Sequence, residues 1–246
     1  MEKKFRFWVM SVMIMLIGFL PGKSGLALPS AEIVIHAPGS ESRVTSPIDI
    51  TASVTPGADD LIRVTLIDQG RNLLARQLIH VDPDEISATQ FSTQLRFEIP
   101  TESTEALLIL GTKDAYNRPI SLRAIPLTLN LKNEVVLEMH PTDSPWLIID
   151  APKPLSTHRG GSLTVSGIVT PISTKPLIFE LITDSGGLIG SKQLMAVNAG
   201  QEVPFSVTLH YSFINTTRDV RLVVRQIIDP FGVDVALDSI PIFLAP

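Results

Sequence analysis

The sequence predicts an all-β protein, and three observations carry this prediction. Apolar and polar residues alternate with a period of two in one segment after another, short turn motifs separate these segments, and the second part of the chain repeats the first. After the N-terminal segment, no stretch keeps the i, i+3, i+4, i+7 apolar spacing of a long amphipathic helix. The pattern therefore favours paired strands throughout.

The clearest predicted strand is 91–99, where the odd-numbered residues form an apolar face that is interrupted only at Thr93. Segment 205–213 repeats this pattern with apolar residues at every odd position. Segments 48–54 and 62–66 carry apolar residues at every even position. Because successive side chains of a strand point to opposite faces, each segment has one face suited to a core.

Turn signals separate about seven such strands in each copy. Examples are Asp68-Gln69-Gly70, Asp184-Ser185-Gly186-Gly187 and Asp229-Pro230-Phe231-Gly232. About seven short strands in roughly 100 residues is typical of an immunoglobulin-like β-sandwich. In the last predicted strand of each copy a proline, Pro126 or Pro241, favours a bulge or an edge strand, because proline has no N–H to donate.

The repeat divides the chain into two predicted domains. Residues from about 33 to 131 reappear from about 147 to 244, displaced by 114 to 116 positions. Matching pairs include Ala37-Pro38 with Ala151-Pro152, Phe91-Ser92 with Phe205-Ser206, Leu122 with Leu237, and Ile125-Pro126 with Ile240-Pro241. The sequence thus predicts a first domain at 32–131, a linker at 132–145 that its prolines stiffen, and a second domain at 146–246.

The N-terminus reads as a secretory signal peptide, residues 1–27, and is left out of the fold reasoning. A basic start precedes an apolar run from Phe7 to Leu20, and Gly25 and Ala27 supply small residues for cleavage after Ala27. A membrane span needs about 18 to 20 apolar residues, so the shorter run favours cleavage. An uncleaved anchor is the alternative, and it is the only membrane attachment that the sequence suggests.

Composition excludes several classes of protein. Removing residues 1–27 takes away four basic residues and one acidic residue, which leaves 16 basic against 24 acidic residues and a net charge of −8. This charge opposes binding to nucleic acid or to anionic membranes. The chain has no cysteine, so lipid attachment through an N-terminal cysteine and disulfide bonds are both excluded. We expect a secreted or extracytoplasmic protein of a bacterial cell envelope.

The first copy resembles the immunoglobulin-like domain of bacterial spore-germination proteins and other exported bacterial proteins. The residues that carry the resemblance are Ile33, Ile35, Pro38, Val44-Thr45-Ser46-Pro47-Ile48, Val64, Leu66, Asp68, Gly70, Leu74-Ala75, Phe91-Ser92, Leu95, Asp114 and Ile125-Pro126-Leu127. The second copy has Gly161-Ser162 where the first has Ser46-Pro47, so only the first keeps the full pattern. The resemblance implies a non-enzymatic module of the envelope.

Motifs of catalysis and cofactor binding are missing from the sequence. It contains no His-Glu-x-x-His, no Gly-x-Ser-x-Gly and no phosphate-binding glycine loop. The histidines lack the clustered spacing of metal ligands; they are His36, His80, His140, His158 and His210. We therefore predict no catalytic residue, no cofactor and no metal site.

Acidic residues in two predicted loops leave a calcium site as a minority alternative. Asp59-Asp60 and Asp82-Pro83-Asp84-Glu85 could offer oxygen ligands. The second copy has Thr174-Lys175 and Asn198-Ala199 at the corresponding places, so a repeated calcium site is not supported. Solvated acidic turns are the preferred interpretation.

Trp146 is the one candidate contact residue. It is the single tryptophan after the signal segment and lies just before the first strand of the second copy. Because tryptophan is usually largely buried, we expect it to pack against the linker or the neighbouring domain.

For function, the sequence favours a structural, adhesive or protein-binding module with an envelope or extracellular protein partner. One alternative is a carbohydrate-binding module for wall or extracellular polysaccharide, for which the discriminating observation is whether Trp146 and Tyr116 are exposed together in a shallow groove. Another is a hydrolase with an unrecognised site, which a cleft with convergent polar groups and perturbed pKa values would indicate.

Overall fold

The described part of the chain folds into β-strands and their connections, as predicted. The computed structural model describes residues 33–81, 88–132, 135–138, 145–196, 198–212 and 215–246. Within these ranges there is no helix, and hence no helix that could cross a membrane. The expected signal segment 1–27 lies outside the described residues, as do Asp82, Asp84, Glu85 and His140.

Residues 33–131, called the first half below, contain eight described strands. They are β1 (Ile33–Ala37), β2 (Arg43–Val44), β3 (Ile48–Val54), β4 (Leu61–Asp68), β5 (Leu73–His80), β6 (Thr89–Leu95), β7 (Ser103–Lys113) and β8 (Pro119–Asn130).

Residues 146–246, the second half, contain eight described strands of similar lengths in the same order. They are β9 (Leu147–Ala151), β10 (Thr157–His158), β11 (Ser162–Val169), β12 (Leu177–Thr183), β13 (Leu188–Leu194), β14 (Val203–His210), β15 (Arg218–Ile228) and β16 (Val233–Leu244).

Each half contains a small sheet and part of a larger one. In the first half β1, β3 and β6 form an antiparallel three-stranded sheet, and β5, β4, β7 and β8 lie side by side in the larger sheet. In the second half β9, β11 and β14 form the small sheet, and β13, β12, β15 and β16 belong to the larger one. Two facing antiparallel sheets of this kind make an immunoglobulin-like β-sandwich, so the predicted fold class is confirmed.

The structure gives one strand more in each half than the estimate of about seven, because a two-residue strand, β2 or β10, follows the first strand of the half and pairs with the other sheet. β1 pairs with β3, whereas the two-residue β2 pairs in parallel with Thr128 and Leu129 of β8. In the second half β10 pairs in the same way with Phe243 and Leu244 of β16. The chain therefore crosses from one sheet to the other within a few residues.

Alternating segments supply the two hydrophobic cores. In β3 the residues at even positions, from Ile48 to Val54, are buried. They pack with β4, β7 and β8 in one cluster, whose largest members include Ile62, Leu66, Leu108 and Leu129. The second cluster is built around Phe179, Leu181, Leu209, Leu222 and Val224. Each fully buried aliphatic or aromatic side chain contributes about 1.5–3 kcal/mol to stability, so these clusters provide most of the driving force for folding.

One strand of the first half is buried on both faces. Leu108 and Leu110 of β7 face the core of the first half, whereas Leu107 belongs to the cluster of the second half together with Ile67 and Ala124. A strand covered on both sides reads as a continuous apolar run, which the residues from Ala106 to Leu110 show. The second half therefore packs on the outer face of the first half's larger sheet.

The two larger sheets are also joined edge to edge. β8 pairs antiparallel with β16, so that Ser121 lies opposite Asp238, Leu122 opposite Leu237, and Arg123 opposite Ala236. The order β13-β12-β15-β16-β8-β7-β4-β5 is thus one continuous sheet, with β2 and β10 attached beside β8 and β16. The last strand of each half is consequently an interior strand of the joined sheet.

The two prolines for which the sequence predicts a bulge or an edge strand lie in this arrangement without a bulge. Pro126 lies opposite Leu107 and Pro241 opposite Arg221, and the ladder shows no register shift at either proline. The carbonyl oxygen of Pro126 accepts from Glu41 N, and that of Pro241 accepts from Leu155 N, each at 2.7 Å. Each proline thus lies between two stretches of its strand. One stretch pairs with the other half, and the other pairs with the two-residue strand β2 or β10 of the same half.

A glycine in β11 tests how closely the small sheet is packed. A Cβ atom on Gly167 would lie 1.9 Å from the carbonyl oxygen of Ile148 on β9. We expect Gly167→Ala to displace β9 and to lower the free energy of unfolding by about 1–3 kcal/mol, measured by urea denaturation. The control is Gly111→Ala in β7, where the nearest atom is 3.6 Å away and the expected change is below about 1 kcal/mol. Equal losses would contradict this account.

Candidate functional site

Trp146 lies at the contact between the two halves. It is 6% exposed and belongs to the hydrophobic cluster of the second half. Its indole N–H donates to the carboxylate of Asp238 in β16, and its ring lies 5.3 Å from the guanidinium carbon of Arg123 in β8. The side chain therefore touches a charged group from each half, in addition to its apolar packing.

Asp238 is the centre of this first cluster. Oδ1 accepts from Ser121 Oγ at 2.6 Å, and Oδ2 accepts from Arg123 Nη2 at 3.0 Å as well as from the indole of Trp146. Burial raises the pKa of Asp238 above its ordinary value, against the opposing effects of Arg123, Ser121 and Trp146. A carboxylate removed from water in this way needs all of these donors.

A second buried cluster crosses the same interface on the other side of the pairing. Asp114, in the turn between β7 and β8, accepts from Arg118 Nε at 2.7 Å and from Arg221 Nε of β15 at 3.1 Å. Arg118 Nη2 also donates to Asp219 at 2.8 Å. Arg221 Nη1 donates to Ser239 at 2.8 Å, and Ser239 lies within hydrogen-bond distance of the Ile120 carbonyl. Asp114 and Arg118 of the first half are thus paired with charged side chains of the second half.

The environment of Asp114 favours its ionised form. Burial alone would raise the pKa of this carboxyl group. Hydrogen bonds from the main chain and side chain of Arg118, with the charges of Arg118 and Arg221, outweigh burial and hold the pKa below its ordinary value. Oδ1 also accepts from the main-chain N–H groups of Tyr116 and Arg118 at 3.0 and 2.9 Å. Asp114 therefore fixes the turn as well as the interface.

A third contact is made by the loop between β4 and β5. Arg71 donates from Nε to the carbonyl of Phe231 at 2.9 Å and from Nη2 to that of Gly232 at 3.1 Å. A Cβ on Gly232 would lie 2.4 Å from Arg71 Nη2, and Gly232 has φ +62°. The Asp229 to Gly232 turn, predicted from its sequence, is thus shaped to accept this arginine.

Sequence reasoning singled out Trp146 as a contact residue but not its partners Asp238 and Arg123, and it did not assign Asp114 or Arg221 to the contact between the halves. The signal that could have found the residues at the β8–β16 contact lies within these two strands, where Ser121, Asp238 and Ser239 are buried and Arg123 is half-buried. Buried charged residues normally have partners. Charged residues at one equivalent position of the two repeated strands, Arg123 and Asp238, therefore point to a contact between those strands.

The acidic loop residues that the structure describes do not gather as metal ligands. The Asp59 carboxylate forms an ion pair with Arg63 and accepts from Leu61 N. Among the described residues no group of three or more histidine, cysteine, aspartate or glutamate side chains is placed to hold a metal ion. His36 is 2.7 Å from Ser53 Oγ, and His158, whose pKa burial lowers, is 2.7 Å from Ser156 Oγ.

Trp146 and Tyr116 do not form the shared exposed surface by which the sequence would indicate polysaccharide binding. Tyr116 is 56% exposed and lies 4.9 Å from the guanidinium carbon of Arg118, whereas Trp146 is buried. The two rings are therefore not exposed together.

An apolar groove of about 190 Å³ opens in the second half between the end of β13 and the start of β14. Its lining includes buried Leu177 and Phe205, and Met195 on its rim is 69% exposed. β13 and β5 are the two outer strands of the joined sheet. They begin with leucines at corresponding positions, Leu188 and Leu73, that are 58% and 60% exposed.

Comparisons with known proteins add a weak likeness of fold. No protein-family model and no curated protein sequence matches the chain. Fibronectin(III)-like modules of Clostridium thermocellum CbhA are 15% identical, with a TM-score of 0.26 over 87% of this chain and 94% of that chain. Dimeric latent PorU from Porphyromonas gingivalis is 15% identical, with a TM-score of 0.30 over 88% of this chain and 20% of that chain.

The Salmonella enterica SafA pilin in complex with the SafB chaperone is 11% identical, with a TM-score of 0.27 over 88% of this chain and 97% of that chain. These values are too low to assign a family, a ligand or a partner.

Replacement of Trp146 tests its part in holding the two halves together. Trp146→Ala removes a large buried ring, and we expect a loss of about 3–5 kcal/mol in the free energy of unfolding. Trp146→Phe keeps much of the packing but removes a donor to a buried carboxylate, and the expected loss is about 1–3 kcal/mol. Urea denaturation measures both. Small-angle scattering should show a fixed mutual orientation of the halves in the unmodified protein.

The control is Tyr116→Ala, an exposed aromatic site, with an expected change below about 1 kcal/mol. Equal losses at the two positions, or a scattering profile of two independent bodies in the unmodified protein, would contradict the role given to Trp146.

The lowered pKa of Asp114 predicts a particular pH dependence. Its contribution to stability is fully present above the ordinary aspartate pKa of about 3.9, and it is lost as the pH falls through the lower value in the folded protein. At pH 7 Asp114→Asn leaves buried Arg221 without a carboxylate and Arg118 with Asp219 alone, so we expect a loss of about 3 kcal/mol. The difference from the unmodified protein should shrink in urea titrations below about pH 4. Asp49→Asn, an exposed site, should cost below about 1 kcal/mol at every pH; a constant Asp114 difference would refute the assignment.

Proposed function

We propose that the protein is an exported, non-enzymatic structural or protein-binding module of a bacterial cell envelope. In this proposal residues 1–27 are a cleaved signal peptide, and residues 32–131 and 146–246 are two immunoglobulin-like domains joined by the linker 132–145. The observation that carries the proposal is the pairing of β8 with β16, which makes the larger sheets of both halves continuous.

Several contacts support a rigid two-part unit. Apolar packing of Leu107 and Ile67 against the second half, the clusters around Asp238 and Asp114, and the Arg71 contact all cross the same interface. The described part of the linker adds to this, because Val136 pairs with Arg43 through main-chain hydrogen bonds of 2.8 and 3.0 Å. Such a unit suits a spacer or a docking platform better than a flexible tether.

The use of the buried ionisable groups supports a non-enzymatic role. Catalytic groups usually lie in a cleft with perturbed pKa values and access to a substrate. Asp114 and Asp238 have perturbed pKa values, but both are enclosed between the halves and engaged by arginine side chains. Their arrangement is that of an interface.

The apolar groove beside β13 and the outer strands of the joined sheet are the surfaces that we assign to a protein partner. A partner strand could add to an outer strand through main-chain hydrogen bonds while an apolar side chain enters the groove. Arg76 on β5 and Lys192 on β13 lie on these strands, and charged residues on an outer strand discourage unselective pairing.

Site-specific photo-crosslinking in intact producing cells tests this proposal. A benzophenone amino acid at position 195, on the rim of the groove, should give one discrete protein adduct. The same group at position 116, an exposed aromatic site, is the matched control and should give at least five-fold less of that adduct. The adduct should form in the extracytoplasmic fraction.

Purified wall polysaccharide is used as a parallel bait. Retention on polysaccharide without a protein adduct would favour the carbohydrate-binding alternative. A protein that stays in the cytoplasm, or gives neither adduct nor retention, would refute the proposal.

A further inference from the structure

The strands that join the two halves occupy equivalent positions in them. Pro126 of β8 and Pro241 of β16 match in sequence, and two residues later Thr128 and Phe243 each pair with the first residue of a two-residue strand, β2 or β10. The same displacement of 115 positions relates Leu122 to Leu237. β8 and β16 therefore present the same edge of two similar sandwiches.

The pairing between these edges has local two-fold symmetry. Exchanging each residue for its equivalent turns the pair of Ser121 with Asp238 into the pair of Ala236 with Arg123, and leaves the central pair of Leu122 with Leu237 unchanged. This is the geometry by which two identical edges would associate in a symmetric dimer. Here both edges belong to one chain.

Charge breaks this symmetry at one position. Arg123 and Asp238 are equivalent residues with opposite charges, and in the pairing their side chains meet, with Nη2 and Oδ2 3.0 Å apart. They are 13% and 10% exposed. If two β8 edges paired in this geometry, two arginines would meet, and two β16 edges would bring two aspartates together. Like charges at a desolvated contact oppose association.

We propose that Arg123 and Asp238 make this edge selective, so that it pairs only with an equivalent edge that carries the opposite charge at the same position. The fitting partner is the other edge of the same chain, or the opposite edge of a second copy of the chain. Connection within one chain keeps the two edges at high effective concentration, which favours the closed single chain. Self-association through like edges is suppressed.

Two variants of the protein that contain both halves and lack the proposed signal segment 1–27 test the proposal. Arg123→Asp gives a chain with two acidic edges, and Asp238→Arg gives a chain with two basic edges. Each alone should remain monomeric, with a more extended scattering profile than the unmodified protein. Mixed in equal amounts, they should form a heterodimer at least ten-fold tighter than either self-association, measured by analytical ultracentrifugation and native mass spectrometry.

A third chain carries both changes, Arg123→Asp with Asp238→Arg, and covers the case in which a single variant fails to fold. It restores opposite charges, so circular dichroism and scattering should show more folded and more compact protein than either single variant. The indole of Trp146 loses its acceptor there, so recovery should be partial.

The control uses the ion pair between Glu180 of β12 and Arg225 of β15, whose charged atoms are 2.9 Å apart within the second half. The control variants are Glu180→Arg alone and Glu180→Arg with Arg225→Glu. Neither should change the state of association. The proposal is overturned if the mixture forms no heterodimer while both single variants are folded, or if the double variant is no better folded than the worse single one.

Discussion

Three residues of β8 face three residues of β16, and the relative placement of the two halves depends on this short antiparallel contact. By itself the ladder is weak, because a main-chain hydrogen bond adds only about 0.5–1.5 kcal/mol net. What it does is fix the register. Once Leu122 lies opposite Leu237, Asp238 comes within reach of Ser121 and Arg123. The larger stabilising term is apolar, since Leu107, Ile67 and Ala124 of the first half are buried in the cluster of the second half. Burial of apolar side chains therefore provides most of the stabilising free energy of this contact, and the β8–β16 pairing determines which side chains lie opposite each other.

The buried charges at this contact are better explained by specificity than by stability. Removing a carboxylate and a guanidinium from water costs several kcal/mol for each ion, and their attraction offsets this cost only with good geometry and further hydrogen bonds. Asp238 and Asp114 each have several donors. A well-packed apolar interface could hold the halves at least as firmly, but it would tolerate neighbouring registers and other edges. With charged pairs, a shifted register leaves a buried ion unpaired, so the unique arrangement is separated from its competitors by several kcal/mol.

Local sequence patterns predict the sandwich well, because period-two alternation and turn residues act within a few positions. The same reasoning predicts an edge or a bulge at Pro126 and Pro241, since it considers each copy by itself. In the folded chain the two edges cover each other. Trp146 could be selected from its place before β9, but its acceptor Asp238 lies 92 positions further along the chain, and nothing local connects them. Two signals do point to the contact: the unbroken apolar run from Ala106 to Leu110, which requires cover on both faces, and the charged residues within β8 and β16.

The joined sheet also determines which strand edges remain exposed. A sandwich of this type exposes strand edges whose free N–H and C=O groups invite association. Two separate sandwiches would each expose the edge formed by β8 or by β16. Because the chain has no cysteine, no disulfide bond could hold such an edge in place. Pairing these edges with each other covers both at once and moves the outer edges of the large sheet to β5 and β13. Those strands carry Arg76 and Lys192, which limit unselective pairing. The exposed side chains of Leu73 and Leu188 lie on these two outer strands, and the apolar groove lies beside β13. Pairing of the inner edges therefore leaves the outer strands as the open sides of the joined sheet.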